Sequence, residues 1–565
     1  MGKSFLCARR TSAAQIALSA AAAAAFVFGS IGTAQAVGID TGNPDVTIRW
    51  DNTVKYTAAM RVGSPDSRVY NNNTGNTNMD DGDLNFKSGD MTSNRGDLLT
   101  EFDLDYQKRM GFRVSGAAWY DQVYNDNNSN KSPATNNNQN IPFNHFQPAT
   151  QVLHGKDLEL LDAFVYRNFD LGGDQAFSMR VGRHSLLYGE TLFYGSNGIA
   201  GAQAPIDLIK ALSLPSAQFK EIMMPVGQAS GTLQLSSKVS LGGYYQFEYR
   251  KDRLPGVGSY FSFADFVDAG GYAILAGGPA YFSRGPNIDP KTQGQGGMEI
   301  KWKANNNWEF GGYFANFHSK DPKFYLTPSA LPPVFTAYGL NVGQYRVVYP
   351  TDIKVYGVSF ATLAGDTNIS GEFSIRDNQP FAGNAGDVIL DLTGKGNNSN
   401  NPLYPVGKSA HGNISAITLF PAGPLREGAA WVGEIATNRR ITVDNGMPLD
   451  PNVTRSAWAL WTNFEPSYFQ VLPGLDVTLP ITVGWGIAGR SSLGPTAFAG
   501  NNEGTGNITL GITGTYQDRW KAALQYTTYF GTKGSIADPT HGNIYSYRQL
   551  YADRDWVALT LSTSF

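Results

Sequence analysis

The chain has 565 residues, of which only 16% are charged and 12% aromatic, with 64 glycines. Lys and Arg (44) fall below Asp and Glu (47), giving a formal net charge of −3, which argues against a nucleic-acid partner. A soluble domain carries roughly 25% charged residues. The low charge, together with abundant Tyr, Phe, Gly, Asn and Thr, points to an all-β protein.

The first element is a leader. Lys3, Arg9 and Arg10 precede an Ala-rich apolar stretch from Ala13 to Phe28, and small residues flank Gln35 at Ala34 and Ala36. This is the pattern of a secretory signal peptide over residues 1–36, cut after Ala36, with residues 37–565 as a single domain. The one cysteine, Cys7, lies in the leader, so the mature chain has no disulfide, thiol nucleophile or Cys-based metal site. No run of 18 or more apolar residues follows, which excludes a transmembrane helix. Only helices and closed barrels satisfy their backbone in lipid, so an exported chain of this kind is either soluble or a β-barrel.

From Val46 to Val62 the residues alternate with a period of two. Ile48, Trp50, Val54 and Tyr56 share an apolar face, broken only by Asn52, while Arg49, Asp51, Lys55 and Arg61 share a polar one. The stretch is far longer than the ~5–6 residues of a typical strand and suits a barrel wall with lipid outside and water inside. Similar alternation recurs at 98–121, 475–487, 507–513 and 520–530. Tight connections are expected at 109–111, 236–238, 305–307 and 517–519. Long polar ones are expected near 63–96, 125–156, 191–217, 252–294, 320–350 and 378–410. That alternation implies an antiparallel outer-membrane β-barrel of about 18 strands, with short periplasmic turns, long extracellular loops and both termini in the periplasm. Aromatic residues bracket three turns, at Tyr106 and Phe112, Trp302 and Trp308, and Tyr516 and Trp520, as at a membrane interface.

Two residues strain this reading. Pro480 interrupts a clean strand and is expected to mark a bulge. Arg183 shares the apolar parity of Phe177, Met179 and Val181; a bulge at Gly182 turns it inward, or the register is misread. Residues 205–214 have helical spacing after a Pro start. Pro205, Ile206, Asp207 and Lys210 would belong to a constriction if this loop folds into the lumen, the alternative being a cap on the rim.

Chemistry is sparse. The six histidines form no local metal pair, and no serine has glycine at both −2 and +2. No catalytic residue is assigned and no enzyme activity is expected. A hydrolase built from a barrel-wall Ser–His pair would rest on His184 or His318. The Asp/Asn-rich stretches Met79 to Phe86 and Val443 to Asn452 read first as turn formers and second as Ca²⁺ loops. By parity the pore lining includes Arg49, Asp51, Lys55, Arg61, Glu101, Asp103, Asp105, Arg109, Arg113 and Arg180, a wall of both signs. No metal or cofactor is expected. Implied partners are outer-membrane lipid and lipopolysaccharide, the outer-membrane assembly machinery and a small-molecule substrate, with homo-oligomerisation left open. From Trp556 to Phe565 the chain ends on a strand whose Leu559, Leu561 and Phe565 form an expected assembly signal, although Thr563 departs from its usual apolar pattern.

Three stretches carry a resemblance: "DDGDLNFKSGDMTSNRGDLLTEFDLDY" (80–106), "VGRHSLLYGETLFYGSNGIAGAQAPIDLIKALSLPSAQFKEIMMPV" (181–226) and "GYYQFEYRKDRLPGVGSYFSFADF" (243–266). They resemble a family of uncharacterised proteobacterial outer-membrane proteins, a domain of unknown function known mainly from pseudomonads and burkholderias. The resemblance implies an outer-membrane location and a porin-like barrel. By association with exporters and with pathways for lipid-like compounds, it also implies passage of small hydrophobic molecules. The rival expectation is a barrel that anchors loops which bind a partner or assemble a surface structure.

Overall fold

The computed structural model describes residues 37–71, 77–138, 140–214 and 219–565. The expected signal peptide lies outside these residues. Eighteen antiparallel strands form one closed barrel. They are β1 (Val46–Arg61), β2 (Met91–Tyr106), β3 (Met110–Asp121), β4 (Lys156–Gly172), β5 (Gln175–His184), β6 (Val226–Ser236), β7 (Val239–Gln246), β8 (Gln295–Lys303) and β9 (Trp308–Phe317). The second half comprises β10 (Ile353–Ala364), β11 (Thr367–Pro380), β12 (Val406–Phe420), β13 (Gly428–Arg440), β14 (Ser456–Leu472), β15 (Leu475–Thr478 and Ile481–Ala488), β16 (Gly506–Tyr516), β17 (Trp520–Phe530) and β18 (Trp556–Ser564).

Each strand pairs with its sequence neighbour, and β18 pairs with β1 to close the wall, Trp556 opposite Arg61 and Ser564 opposite Thr53. Phe565 adds a last reciprocal pair with Asn52, at 2.7 and 2.8 Å. A three-residue strand, Val37–Ile39, then pairs with Ile48 to Trp50, covering the part of β1 that lies beyond β18. A closed wall leaves no strand edge in lipid, where each unpaired backbone group costs several kcal/mol.

Side chains follow the parity read from the sequence. Leu158, Met298, Val358, Phe373, Ile414, Ile435 and Leu510 stand exposed on the outer face, the first at 79%. Such a band is stable only in hydrocarbon, where burial of a Leu or Phe contributes about 1.5–3 kcal/mol. Trp302 and Trp308 both stack on Phe310 beside the turn between β8 and β9, at the level of an aromatic girdle. The protein is an outer-membrane β-barrel.

Three local expectations change. The first tight turn is at 107–109, with Gln107 and Lys108 at positive φ, rather than at 109–111. Pro480 is not a bulge. Pairing continues past it, Leu479 N–H donating to the Pro466 carbonyl at 3.0 Å and Gly511 N–H to the Pro480 carbonyl at 2.9 Å, and the register with β14 and with β16 is the same on both sides. The bulge of β14 lies instead near its turn, where Gln470 has φ +51°. Arg183 does not turn inward. Pairing runs through Gly182 unbroken, and Arg183 stays on the outer parity at the extracellular rim, ion-paired to Glu248 at 3.5 Å. Near the interface such a charge costs little.

The extracellular loops form a cap with its own sheet, built from Ala273–Leu275, Ala280–Arg284, Lys323–Pro328, Val334–Thr336, Gly339–Val348 and Val388–Leu390. Its core holds Phe266, Ile274, Phe324, Tyr345 and Val347.

Because Phe565 supplies the last rung of the closing ladder, its deletion is expected to lower the folded, heat-modifiable fraction in the outer membrane, measured on semi-native gels. Insertion at the wild-type level would contradict its role.

Candidate functional site: the lumen and its inner strap

On β1 to β4 the inward charges pair within the wall. Arg49 meets Asp51 at 2.7 Å and Asp103 at 3.5 Å; Lys55 meets Asp97 at 3.7 Å; Arg95 meets Asp97 at 2.8 Å. Arg113 ion-pairs with Glu101, with Asp103 at 3.8 Å and with Asp162 at 3.7 Å. Asp162 sits at a bulge of β4, which brings it to Ser115 on the same inner face. Tyr166 donates to Asp105 at 2.5 Å, and Arg180 covers the ring of Phe164 at 5.5 Å. These are partly exposed pairs, each worth at most about 1 kcal/mol, so the wall is polar without being a ring of one sign.

Two of the ten residues assigned to the lining lie elsewhere. Arg109 is in the periplasmic turn, exposed, and contributes its carbonyl to Asn168. Arg61 is wholly buried beneath the cap, paired with Asp83 and Asp553, both at 3.1 Å. Period-two parity places a residue on a face, but it does not show whether a loop has filled the space in front of it.

The loop between β5 and β6, residues 185–225, has two parts. The first runs as a strap against the inner faces of β11, β12 and β13, far around the barrel from β5. Glu434 of β13 accepts hydrogen bonds from the Thr191 hydroxyl at 2.8 Å and from the backbone N–H groups of Leu192 (3.1 Å), Phe193 and Tyr194 (3.1 Å). Glu372 of β11 accepts from Glu190 N–H at 2.6 Å and Ile199 N–H at 2.7 Å. Arg376 of β11 donates to the carbonyls of Ser196, Asn197 and Gly198 at 2.8, 3.0 and 2.8 Å. Asn197 donates to Asn413 of β12 at 2.8 Å, and the Tyr194 hydroxyl to the Leu460 carbonyl of β14 at 3.0 Å. Gly189 and Gly198 are required here, because a side chain at either would collide with the Glu372 carboxylate.

The second part returns toward the cap. Ile206 N–H donates to Asp252 at 2.7 Å, and Asp207 pairs with Arg253 at 2.7 Å. Asp207 also caps the helix α1 (Leu208–Ser213), accepting from Lys210 N–H at 3.0 Å. The Lys210 ammonium donates to the Glu221 carbonyl at 2.6 Å. Thus the expected helix exists, shorter by its flanks, and Ile206, Asp207 and Lys210 are tied to neighbouring loops rather than to the barrel wall.

Between strap, α1 and cap lies a cavity of ≈ 190 Å³, lined by Ile206, Leu208, Leu212, Leu254, Phe263, Val267, Phe317, Phe324 and Ile353 among others. Its charged groups are of both signs, Asp252, Asp321 and Asp387 beside Lys320, Lys323 and Arg376. Burial lowers the Lys320 ammonium to about 8, and burial together with Asp321 pushes the Asp252 carboxyl up to about 8. Lys320 donates to the Gly201 carbonyl at 3.1 Å and lies 5.0 Å over the Phe317 ring.

Neither His184 nor His318 sits in a Ser–His–carboxylate arrangement among the described residues. His184 meets the Ser230 hydroxyl at 2.8 Å, but its Nδ1 bonds the Gly182 carbonyl, where a triad would place a carboxylate. His318 is engaged by the Gln293 carbonyl at 3.3 Å and the Asp352 N–H at 3.1 Å. Sequence reasoning missed Glu372, Arg376, Glu434 and Asn413. The available signal was a charged or amide side chain isolated on the inner parity of an otherwise small-residue strand.

A family model described as "Protein of unknown function (DUF1302)" matches residues 17–565. The chain belongs to that family. No curated protein matches the sequence. Among solved structures, OccAB4 of Acinetobacter baumannii shares 10% identity at a TM-score of 0.41, covering 92% of this chain and 98% of that one. OccK1 (OpdK) of Pseudomonas aeruginosa shares 8% identity at 0.39, covering 92% and 98%.

Replacing Glu434 by Ala leaves several strap amides without an acceptor, at a cost of about 1–3 kcal/mol each. Glu434→Ala is therefore expected to make residues 189–199 accessible to protease in the folded barrel, with Glu434→Gln intermediate. Equal resistance of Glu434→Ala and wild type in limited proteolysis would contradict this anchoring.

Proposed function

We propose that the protein is a substrate-selective channel of the outer membrane for small, partly apolar molecules. The observation that carries the reading is the strap: a loop from β5 held to the inner wall by Glu372, Arg376 and Glu434 narrows a lumen whose wall is otherwise polar. The wall charges of β1 to β4 neutralise one another, so they solvate the passage without selecting ions of one sign. The cavity between strap and cap supplies apolar surface bordered by charges of both signs, Asp252, Asp321 and Asp387 beside Lys320, Lys323 and Arg376, a lining suited to a molecule with an apolar body and a polar end. In this reading Pro205, Ile206, Asp207 and Lys210 belong to the constriction, with Ile206 on the cavity wall, and transport is diffusive.

A second reading takes the barrel as an anchor for the cap, whose own sheet and buried core give it the character of a surface module. Planar-bilayer recording separates the two. The channel reading expects small single-channel currents from the wild type and larger ones after deletion of residues 191–217. Currents that do not change on deletion would remove the constriction, and no current from either protein would favour the anchor.

A further inference from the structure

The stretch from Asp80 to Asp83 packs as one helical turn under the cap, with Gly82 so close to the loop between β7 and β8 that a side chain would meet the Ser262 carbonyl at 2.6 Å. Its acids are treated unequally. Asp83 is fully neutralised: Arg61 reaches it at 3.1 Å and Arg554 at 2.7 Å. Asp553 also pairs with Arg61 at 3.1 Å. Asp80 and Asp81 face Asp265 instead, and among the described residues these three have no ion-pair partner, although each is only 1% exposed. Five buried carboxylates thus share two guanidinium groups.

The three carboxylates lie close enough for one ion. One oxygen from each falls within 4.8 Å of the others. Oxygen ligands at about 2.3–2.6 Å from a Ca²⁺ are at most about 5 Å apart. Backbone N–H groups of Asp80 and Asp81 already hold Asp265 Oδ2, at 2.8 and 3.3 Å, and orient its carboxylate. The remaining oxygens are poorly satisfied: Oδ1 of Asp80, both oxygens of Asp81 and Oδ1 of Asp265 are buried without a well-formed hydrogen bond, only the Thr135 side chain near Asp80 and the Asn137 backbone N–H near Asp81 offering donors. Leaving buried charged acceptors unpaired is costly. Asn137, wholly buried, comes to Asp81 through its backbone N–H, and its own Oδ1 has no hydrogen-bond partner.

We propose that Asp80, Asp81 and Asp265 bind one divalent cation, with Ca²⁺ the best match, which clamps the loop between β1 and β2 to the loop between β7 and β8. Hard oxygen ligands drawn from two irregular loops suit Ca²⁺ better than the strict octahedron of Mg²⁺.

The test is calorimetric titration of CaCl₂ into the full mature protein, stripped with chelator and folded in detergent without lipopolysaccharide, near neutral pH. One saturable site is expected, with a rise in unfolding temperature on Ca²⁺ addition. The double variant Asp81→Asn and Asp265→Asn is expected to lose at least about tenfold in affinity together with the thermal shift. Asp174→Asn, in a periplasmic turn, is expected to behave as wild type. The inference is overturned if folded wild type takes up no Ca²⁺, or if the folded double variant binds as tightly as wild type. Should the double variant fail to fold, the isosteric Asp80→Asn decides by the same criteria.

Discussion

Backbone hydrogen bonding in hydrocarbon is the constraint from which the rest of the structure follows. A strand in lipid has no water to satisfy its N–H and C=O groups, so every strand must be flanked on both sides. The chain meets this by pairing β18 with β1 and by carrying the ladder to Phe565, with Val37–Ile39 continuing the same line. Once the wall is closed, side-chain parity divides two solvents. The outer face carries Leu, Ile, Val and aromatic groups, and most charged groups of the strands point into one shared interior, with Arg183 at the rim an exception.

That interior handles charge in two ways. On β1 to β4 acids and bases pair with each other along the wall, which needs no loop and leaves the groups partly wet. On β11 to β13 the acids and Arg376 pair with the backbone of the β5–β6 loop. The distinction matters physically. Charge-assisted bonds to backbone groups in a dry setting are stronger than exposed ion pairs, so the strap side is the rigid side. The cap repeats the theme at its own scale, with Arg61 and Arg554 compensating Asp83 and Asp553 but not the triad of Asp80, Asp81 and Asp265.

Much of the fold was legible in the sequence because barrel strands obey one simple period. The face assignments of β1, β2, β3 and β18 follow directly from alternation, and the even strand number follows from alternating short and long connections. Arg61 and Arg183 show where the reading stops. Arg61 has inward parity, yet loop residues more than 20 and nearly 500 positions away enclose it. Arg183 kept its outward parity because a charge at the rim finds Glu248 and needs no bulge. The candidate site was less legible than the wall. The helix near residue 208 announced itself by spacing, but the grip of Glu434 on the strap arises from contacts across more than 200 residues, which no local pattern records.

The central claim is that the strap lies across the lumen against β12 and β13. Residues 37–565 contain no cysteine, Cys7 being the one in the sequence, so an introduced pair reports without background from the barrel. Asn197→Cys combined with Asn413→Cys, at side chains now 2.8 Å apart, tests the contact directly. The account predicts that the two thiols of the assembled barrel join under mild oxidation or through a short bifunctional thiol reagent, identified by mass spectrometry as a 197–413 linked peptide. Two free thiols that both react with a membrane-impermeant maleimide, and no linked peptide, would contradict it.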